Sequence, residues 1–202
     1  MLSDLSIKNF TEELASVNPV PGGGSVSALG GALAASLFEM AIRITFNNED
    51  SAKEYIDFYS DIREKTIVLI DEDSKAFQEV MLAYALPKIT DEDKKERKAK
   101  IREALKNATL TPLKSAQLSM AMLHSTAEVA AICKESCLSD AATAFKYAMA
   151  SYRGAMYNVM INLNSMKDQE FIDKIKAECA EMEKWYDENI PNLELLFKER
   201  LG

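Results

Sequence analysis

The chain has 202 residues, 48% of them hydrophobic, with 24 Lys and Arg against 32 Asp and Glu for a formal charge of −8. That size and apolar fraction predict a single domain over 1–202 with a full core. An acidic chain of this kind excludes general nucleic-acid binding, which needs a basic surface. Met1-Leu2-Ser3-Asp4 has no basic segment leading into an apolar run, so no signal peptide is expected. Cys133, Cys137 and Cys179 form an odd set without framework spacing, which suits a reducing cytoplasm.

Seven Gly, five Pro and the lack of β-branched alternation predict helix nearly throughout. The helices are placed near 4–16, 25–46, 50–86, 90–132, 139–166 and 168–189, with a short one after Pro191. Between the first two lies Pro19-Val20-Pro21-Gly22-Gly23-Gly24-Ser25-Val26. Three consecutive Gly ask for a backbone that something approaches closely, and Ser25 is a natural N-cap for the second helix. Such a turn, feeding a helix N-terminus with free N–H groups, suits a phosphate or a carboxylate. A tight loop that lets helices pack closely explains the same residues. No Gly-Lys-Ser/Thr comes after it, which excludes a Walker A loop. Ser27 stands where a dinucleotide fingerprint needs its third Gly, and no strand precedes it. Val26 to Ile44 is long enough to raise a membrane span, but Gly30, Gly31, Ser36, Glu39 and Arg43 interrupt it. A buried helix in a soluble fold is expected there.

Asp50 and Ser51 are expected to cap the third helix and Pro87 to help stop it. Its apolar stripe steps through Ile62, Thr66, Leu69, Asp73, Phe77, Val80 and Tyr84. A carboxylate inside that stripe must be paired, neutralised or placed on a cavity. Asp73 is therefore a candidate acid/base group, with a structural ion pair or a subunit-facing hydrogen bond as the alternative. Thr90 with Asp93 predicts a capping box for the fourth helix, and Pro112 a kink or break near 108–112. Between Lys88 and Lys106, eight Lys or Arg stand against five acids, a local +3. That stretch is a solvated helix face or the contact for a polyanionic substrate tail. His124, among Met120, Ala121, Met122 and Leu123, is expected to be a core histidine satisfied by one hydrogen bond. No further Cys or His completes a zinc set with Cys133 and Cys137, so no metal is expected.

Ser139-Asp140 opens the fifth helix, where capping is the simplest role. One side of that helix carries Asp140, Ala144, Ala148, Ser151, Ala155, Asn158 and Asn162; the other carries Phe145, Met149, Tyr152, Met156, Val159 and Leu163. Two such stripes predict enclosure on both sides, so the amides of Asn158 and Asn162 need partners. Ligand contact and interhelical hydrogen bonding both supply them. Helices of about 36 residues span roughly 54 Å at 1.5 Å per residue. The expected fold is an all-α multi-helix bundle that dimerises along its long helices.

Several separated stretches, in order, match one family. Residues 19–26 resemble the opening motif of the formiminotransferase-cyclodeaminase C-terminal (cyclodeaminase) domain and of its stand-alone relative, methenyltetrahydrofolate cyclohydrolase. Asp73-Ser74-Lys75-Ala76-Phe77 resembles that family's acidic stretch. Leu86-Pro87-Lys88 with Thr90, then Pro112-Leu113, resemble the stretch that follows in that family. Gly154-Ala155-Met156-Tyr157-Asn158-Val159 and Ile161-Asn162-Leu163 resemble its late Asn-bearing helix. The resemblance covers 5–166. It departs at Cys133-Lys134-Glu135-Ser136-Cys137-Leu138, where the family has a Gly-Asn-rich loop before its Ser-Asp pair.

The resemblance implies chemistry at the N5–C–N10 bridge of tetrahydrofolate, with no cofactor or metal beyond that substrate, which can be polyglutamylated. Cyclodeamination expels ammonia as N10 closes on the formimino carbon. Cyclohydrolysis opens the methenyl bridge with water, and is put first for a chain that carries no formiminotransferase domain. Asp73 is expected to transfer the proton, with Asp140 next. Asn158 and Asn162 would orient the pterin. Pro21, Gly22, Gly23, Gly24, Ser25 and Ser139 would contact substrate, and Lys88 and Arg153 would meet the glutamate charges. A homodimer without nucleic-acid or membrane partners is expected. The alternative is a helical dimer that binds a folate or another small anion without turnover, a reading that the altered 133–138 loop keeps open.

Overall fold

The computed structural model describes residues 1–46 and 49–202. Six helices form the bundle: α1 (Ile7–Leu14), α2 (Gly23–Thr45), α3 (Glu49–Ala85), α4 (Asp91–Ile132), α5 (Leu138–Asn164) and α6 (Gln169–Leu201). Short 3-10 turns at Leu2–Asp4 and Glu135–Cys137 complete the described elements. At 1.5 Å per residue, the 37 residues of α3 and 42 of α4 run about 55 and 63 Å.

Small side chains put α2 at the centre. Ala28, Ala34, Ala35 and Ala41 are fully buried, so α3 and α5 approach closely on either side. At Gly31 a Cβ would lie 3.1 Å from both Ser151 Oγ of α5 and Thr66 Cγ2 of α3. Larger residues fill the outer layers. Phe38 stacks on Tyr59 with ring centroids 5.1 Å apart, and Met122, Leu123, Phe145, Tyr152 and Val159 are fully buried. Each such side chain contributes about 1.5–3 kcal/mol. By length and composition α2 is apolar enough to cross a membrane, with a mean hydropathy of 1.5, yet 61% of that window is buried inside the bundle.

Both stripes of α5 are enclosed, one by α2 and one by α4 and α6. Ala144, Ala148, Ser151 and Ala155 are buried, and so are Phe145, Tyr152, Val159 and Leu163. Thr90 and Asp93 form the expected reciprocal capping box, with Asp93 N donating to Thr90 Oγ1 at 3.0 Å and Thr90 N to Asp93 Oδ2 at 2.8 Å.

Several local expectations are corrected. The helix α4 runs unbroken through Pro112 because the Ala108 carbonyl, deprived of its partner at position 112, accepts from Asn162 Nδ2 at 2.6 Å. Likewise α6 is one helix through Pro191, which lies on its exposed face where water can serve the released carbonyl. Ser25 does not cap α2: Gly22 is the N-cap, and Ser25 lies inside the helix, fully buried. Cys137 is the N-cap of α5, so Ser139 and Asp140 fall inside its first turn. Asp50 and Ser51 stand inside α3, and the position where a cap would sit lies outside the described residues. His124 is exposed rather than in the core, with its ring 4.0 Å from that of Trp185.

Candidate functional site

The start of α2 is an unusual helix end. Its N-cap, Gly22, has no side chain to offer the free N–H groups of the first turn. A carboxylate from another helix takes that place. Asp73 of α3 lies so close to Gly24 that a Cβ there would collide with it, and Ser25 Oγ stands 3.0 Å from Asp73 Oδ2. The Ser25 N–H also supports the carboxylate. A negative group at a helix N-terminus is favoured by the dipole and by these donors. Gly24 is needed because only a hydrogen leaves room for the carboxylate.

Asp73 keeps part of its surface open. Burial pushes its carboxyl above the ordinary carboxylate range, and the hydroxyl and N–H of Ser25 pull partly the other way. No charged side chain is among the groups that set its ionisation. A partly accessible acid with a raised pKa and no counter-cation is equipped to give and take protons.

Two grooves flank the glycine turn. One, of about 610 Å³, lies between Pro19-Val20 and the next two turns of α3, where Phe77 and Met81 form its wall. Phe77 is one helical turn beyond Asp73 on the same face. The other groove, about 460 Å³, lies between α2 and α5 on a floor of Gly23, Gly30 and Gly154, beside Tyr157 and Asn158. Asp73 lines neither groove directly and stands one helical turn from Phe77 of the first.

The remaining candidates divide sharply. Asn158 comes to the turn: a Cβ on Gly23 would lie 3.2 Å from its Nδ2, which donates to Gly154 O at 2.8 Å. Asn162 is turned toward α4 and Ala108. Arg153 points to α6, where it pairs with Glu183 and, at 3.1 Å, with Asp187, and lies 4.1 Å from the Tyr186 ring centre. It is not available to a substrate tail beside the glycine turn. Ser25, wholly buried, cannot touch a substrate either. Asp140 and Ser139 begin α5, 18 residues before Asn158 or about 27 Å along the axis, so one protomer does not bring them to Asp73. Lys88 is exposed in the α3–α4 connection.

A feature that residue spacing did not reveal lies farther along α3. A cavity of about 660 Å³ is lined by Tyr84, by Arg97, Lys98 and Arg102 of α4, and by Lys167 and Asp168 before α6. Four cations against one acid give a local +3 in a chain of −8. Arg97 is fixed by its Nη2 donating to Tyr84 O at 3.1 Å and by the Tyr84 ring. The basic run 88–106 signalled part of this cluster, but nothing in the sequence joined Lys167 to it. Among the described residues, no three His, Cys, Asp or Glu side chains converge as metal ligands.

Comparisons with known proteins supply the remaining context. The profile of the formiminotransferase-cyclodeaminase family matches residues 6–181. Methenyltetrahydrofolate cyclohydrolase of Methylorubrum extorquens is 35% identical over 184 residues, 86% of each chain. Formimidoyltransferase-cyclodeaminase of Rattus norvegicus is 32% identical over 90% of this chain, which spans 35% of that longer protein. The crystal structure of formiminotetrahydrofolate cyclodeaminase from Thermotoga maritima superposes with a TM-score of 0.84 and 26% identity, covering 100% of this chain and 98% of that one.

Proposed function

Because this chain belongs to the formiminotransferase-cyclodeaminase family, we propose that it acts on the N5–C–N10 one-carbon bridge of tetrahydrofolate with Asp73 as its acid/base group. Cyclohydrolase activity is put first, since similarity to the bacterial cyclohydrolase runs over 86% of both chains. Cyclodeamination is the second reading, supported by the fold shared with the Thermotoga enzyme. The observation that carries the assignment is the Asp73 carboxylate: partly open, raised in pKa, and set against the start of α2.

In the hydrolytic direction, Asp73 accepts a proton from water as its oxygen adds to the methenyl carbon. The same group returns a proton to N5 as the C–N5 bond breaks, leaving a formyl group on N10. One water is consumed and one proton released overall. In the deaminating direction, N10 adds to the formimino carbon, and ammonia departs carrying the N10 proton and one from solvent. A positioned acid/base group contributes typically 10²–10⁴-fold to such steps.

The substrate path proposed here runs along α3. The pterin occupies the Phe77–Met81 groove, one turn from Asp73. The glutamyl carboxylates reach Arg97, Lys98, Arg102 and Lys167, since Tyr84 is eleven residues beyond Asp73, or about 16 Å. The opposite face suits a second copy of the chain. Val26, Leu33, Met40 and Ile44 form an exposed stripe along α2, each residue 37–44% open, at coiled-coil-like spacing. Val26 and Leu33 also wall the α2–α5 groove, so a homodimer would close that side and leave the Phe77 side to substrate.

The test monitors the absorbance of 5,10-methenyltetrahydrofolate with the purified protein, the Asp73→Asn variant and a no-enzyme control. Protein-dependent decay that disappears in the variant is expected. Equal decay in the variant and wild type removes Asp73 from the chemistry; saturable thermal stabilisation without turnover of either substrate favours the binding-only alternative.

A further inference from the structure

We propose that Ser25 is a positioning residue whose hydroxyl turns between Asp73 and the Ile70 carbonyl, so that both protonation states of Asp73 are fully hydrogen-bonded. This rests on the Asp73 reading of the site and deepens it. Around Ser25 Oγ lie three oxygens: Ile70 O at 2.9 Å, Asp73 Oδ2 at 3.0 Å and Ser74 Oγ at 3.2 Å. A hydroxyl has one proton to donate and two lone pairs to accept with. It cannot donate to all three at once, and the surplus of acceptors is what gives it two settings.

With Asp73 ionised, Ser25 donates to the carboxylate and accepts from Ser74. With Asp73 protonated, the acid donates to Ser25 Oγ, and Ser25 turns its own proton to Ile70 O. In both settings every polar group keeps a partner, and only a hydroxyl rotation separates them. A buried group left unpaired in one setting would bias the site to the other. Ser25 is fully buried, so water does not compete for these bonds. Its placement depends on Gly24, which lets the first turn of α2 lie against Asp73 of α3, while Gly23 admits Asn158 of α5 on the other side.

The groups around Asp73 on each side are accounted for. On α2 they are the neutral Gly24 and Ser25. Along α3, Ser74 is neutral, Glu72 reaches Lys114 of α4 at 4.0 Å, and Asp71 accepts from Leu2 N and Ser3 Oγ at 2.6 Å each. From α5 the neutral Asn158 comes to the adjacent Gly23. None of the charged groups is among the causes of the Asp73 shift, which leaves burial and Ser25.

Replacing Ser25 with Ala removes both the donor to the carboxylate and the acceptor of the protonated acid; the bond to the charged form is the stronger of the two, so Asp73 should titrate at higher pH. The test measures carboxyl carbon chemical shifts against pH for the free protein labelled at Asp, with the Asp73 signal assigned by Asp73→Asn. A pH–rate profile runs alongside. In Ser25→Ala the Asp73 midpoint moves to higher pH, and the limb of the rate profile moves with it. The direction is the same whether Asp73 acts as acid or base. Ser25→Cys, which keeps a weaker donor, moves it the same way by less. An unmoved or lowered midpoint in both folded variants overturns the proposal, even if activity falls. The carboxyl titration needs no turnover, so a failed Asp73 reading and a failed Ser25 reading give different results.

Discussion

Asp73 and Asp140 are the same side chain in opposite circumstances. Asp73 sits in the middle of a long helix and is held by the start of another, through the Gly24 contact and the Ser25 donors. Asp140 sits in the first turn of its own helix, whose N-cap is Cys137, about 27 Å along α5 from the Asn158 that faces the glycine turn. The difference extends to their neighbourhoods. Around the α2 start, polar groups are partnered yet one face stays open. Along the α4–α5–α6 side, Arg153, Glu183, Asp187, Asn162 and Ala108 largely satisfy one another. A polar residue in an apolar stripe is a candidate for chemistry, but the capacity left after folding decides whether it can act.

The largest expected effect tests that contrast directly. Asp73→Asn should lower kcat for the methenyl substrate by about 10²–10⁴-fold, whereas Asp140→Asn should change it by less than about threefold if its first-turn role is the local helix-end interaction. Steady-state rates measured for both variants decide it. A collapse of activity in Asp140→Asn with intact helicity would show that a partner protomer carries Asp140 into the site. The next effect comes from crowding. Gly24→Ala places a methyl group where the carboxylate lies, so Asp73 must turn away from α2. A displacement of about 1 Å can cost about 10²-fold in rate, and the double variant with Asp73→Asn should be no slower than Asp73→Asn alone. The circular dichroism of Gly24→Ala should stay helical, because Ala is favoured over Gly within a helix.

How much of this was legible in the sequence depends on range. Periodicity within one helix is local, so the buried part of the α3 stripe, Ile62, Thr66 and Leu69 leading to Asp73, and the two buried sides of α5 could be read from spacing alone, whereas Phe77 and Tyr84 farther along the α3 stripe are exposed. The Thr90–Asp93 box spans three residues and was equally visible. What failed depended on contacts between distant residues. Ser25 looked like an N-cap because a short polar residue after Gly usually is one. Asp73, 48 residues on from Ser25, serves the first turn instead, so the helix begins two residues earlier at Gly23. Pro112 looked like a break because the donor that replaces its missing N–H, Asn162 Nδ2, reaches Ala108 O from 54 residues away. The cationic cavity draws on α3, α4 and the turn before α6, and no single window contains it.

The Asn162 bond gives a stability test of the occupied region. Asn162→Ala should leave the Ala108 carbonyl unpaired and cost about 1–3 kcal/mol. In a Pro112→Ala background the residue at 112 regains an N–H that can serve Ala108 within α4. The same Asn162 substitution should then cost clearly less. Denaturant unfolding of the four proteins measures the coupling. Equal costs in both backgrounds would show that Asn162 stabilises the fold by some route other than the carbonyl released by Pro112.

The smallest effect separates two arginines by what each already holds. Arg153 is bound to Glu183 and Asp187 and lies over Tyr186, so Arg153→Ala should lower Tm without altering preference among substrates. Arg102 lines the cationic cavity, and its charge lowers the pKa of Asp168, whose main partner is Lys106. Among the described residues no ion pair engages Arg102, so its charge is left to the cavity that it lines. An exposed pair is worth about 0–1 kcal/mol, so Arg102→Ala should raise KM for a tetraglutamyl substrate by up to about fivefold relative to the monoglutamyl form. Raising ionic strength should narrow that ratio in the wild type, because exposed charges are screened over about 10 Å at 0.1 M salt. A ratio that responds to Arg153→Ala and not to Arg102→Ala would place the tail on the α6 side and reverse the assignment of free and occupied charge on which the two regions are distinguished.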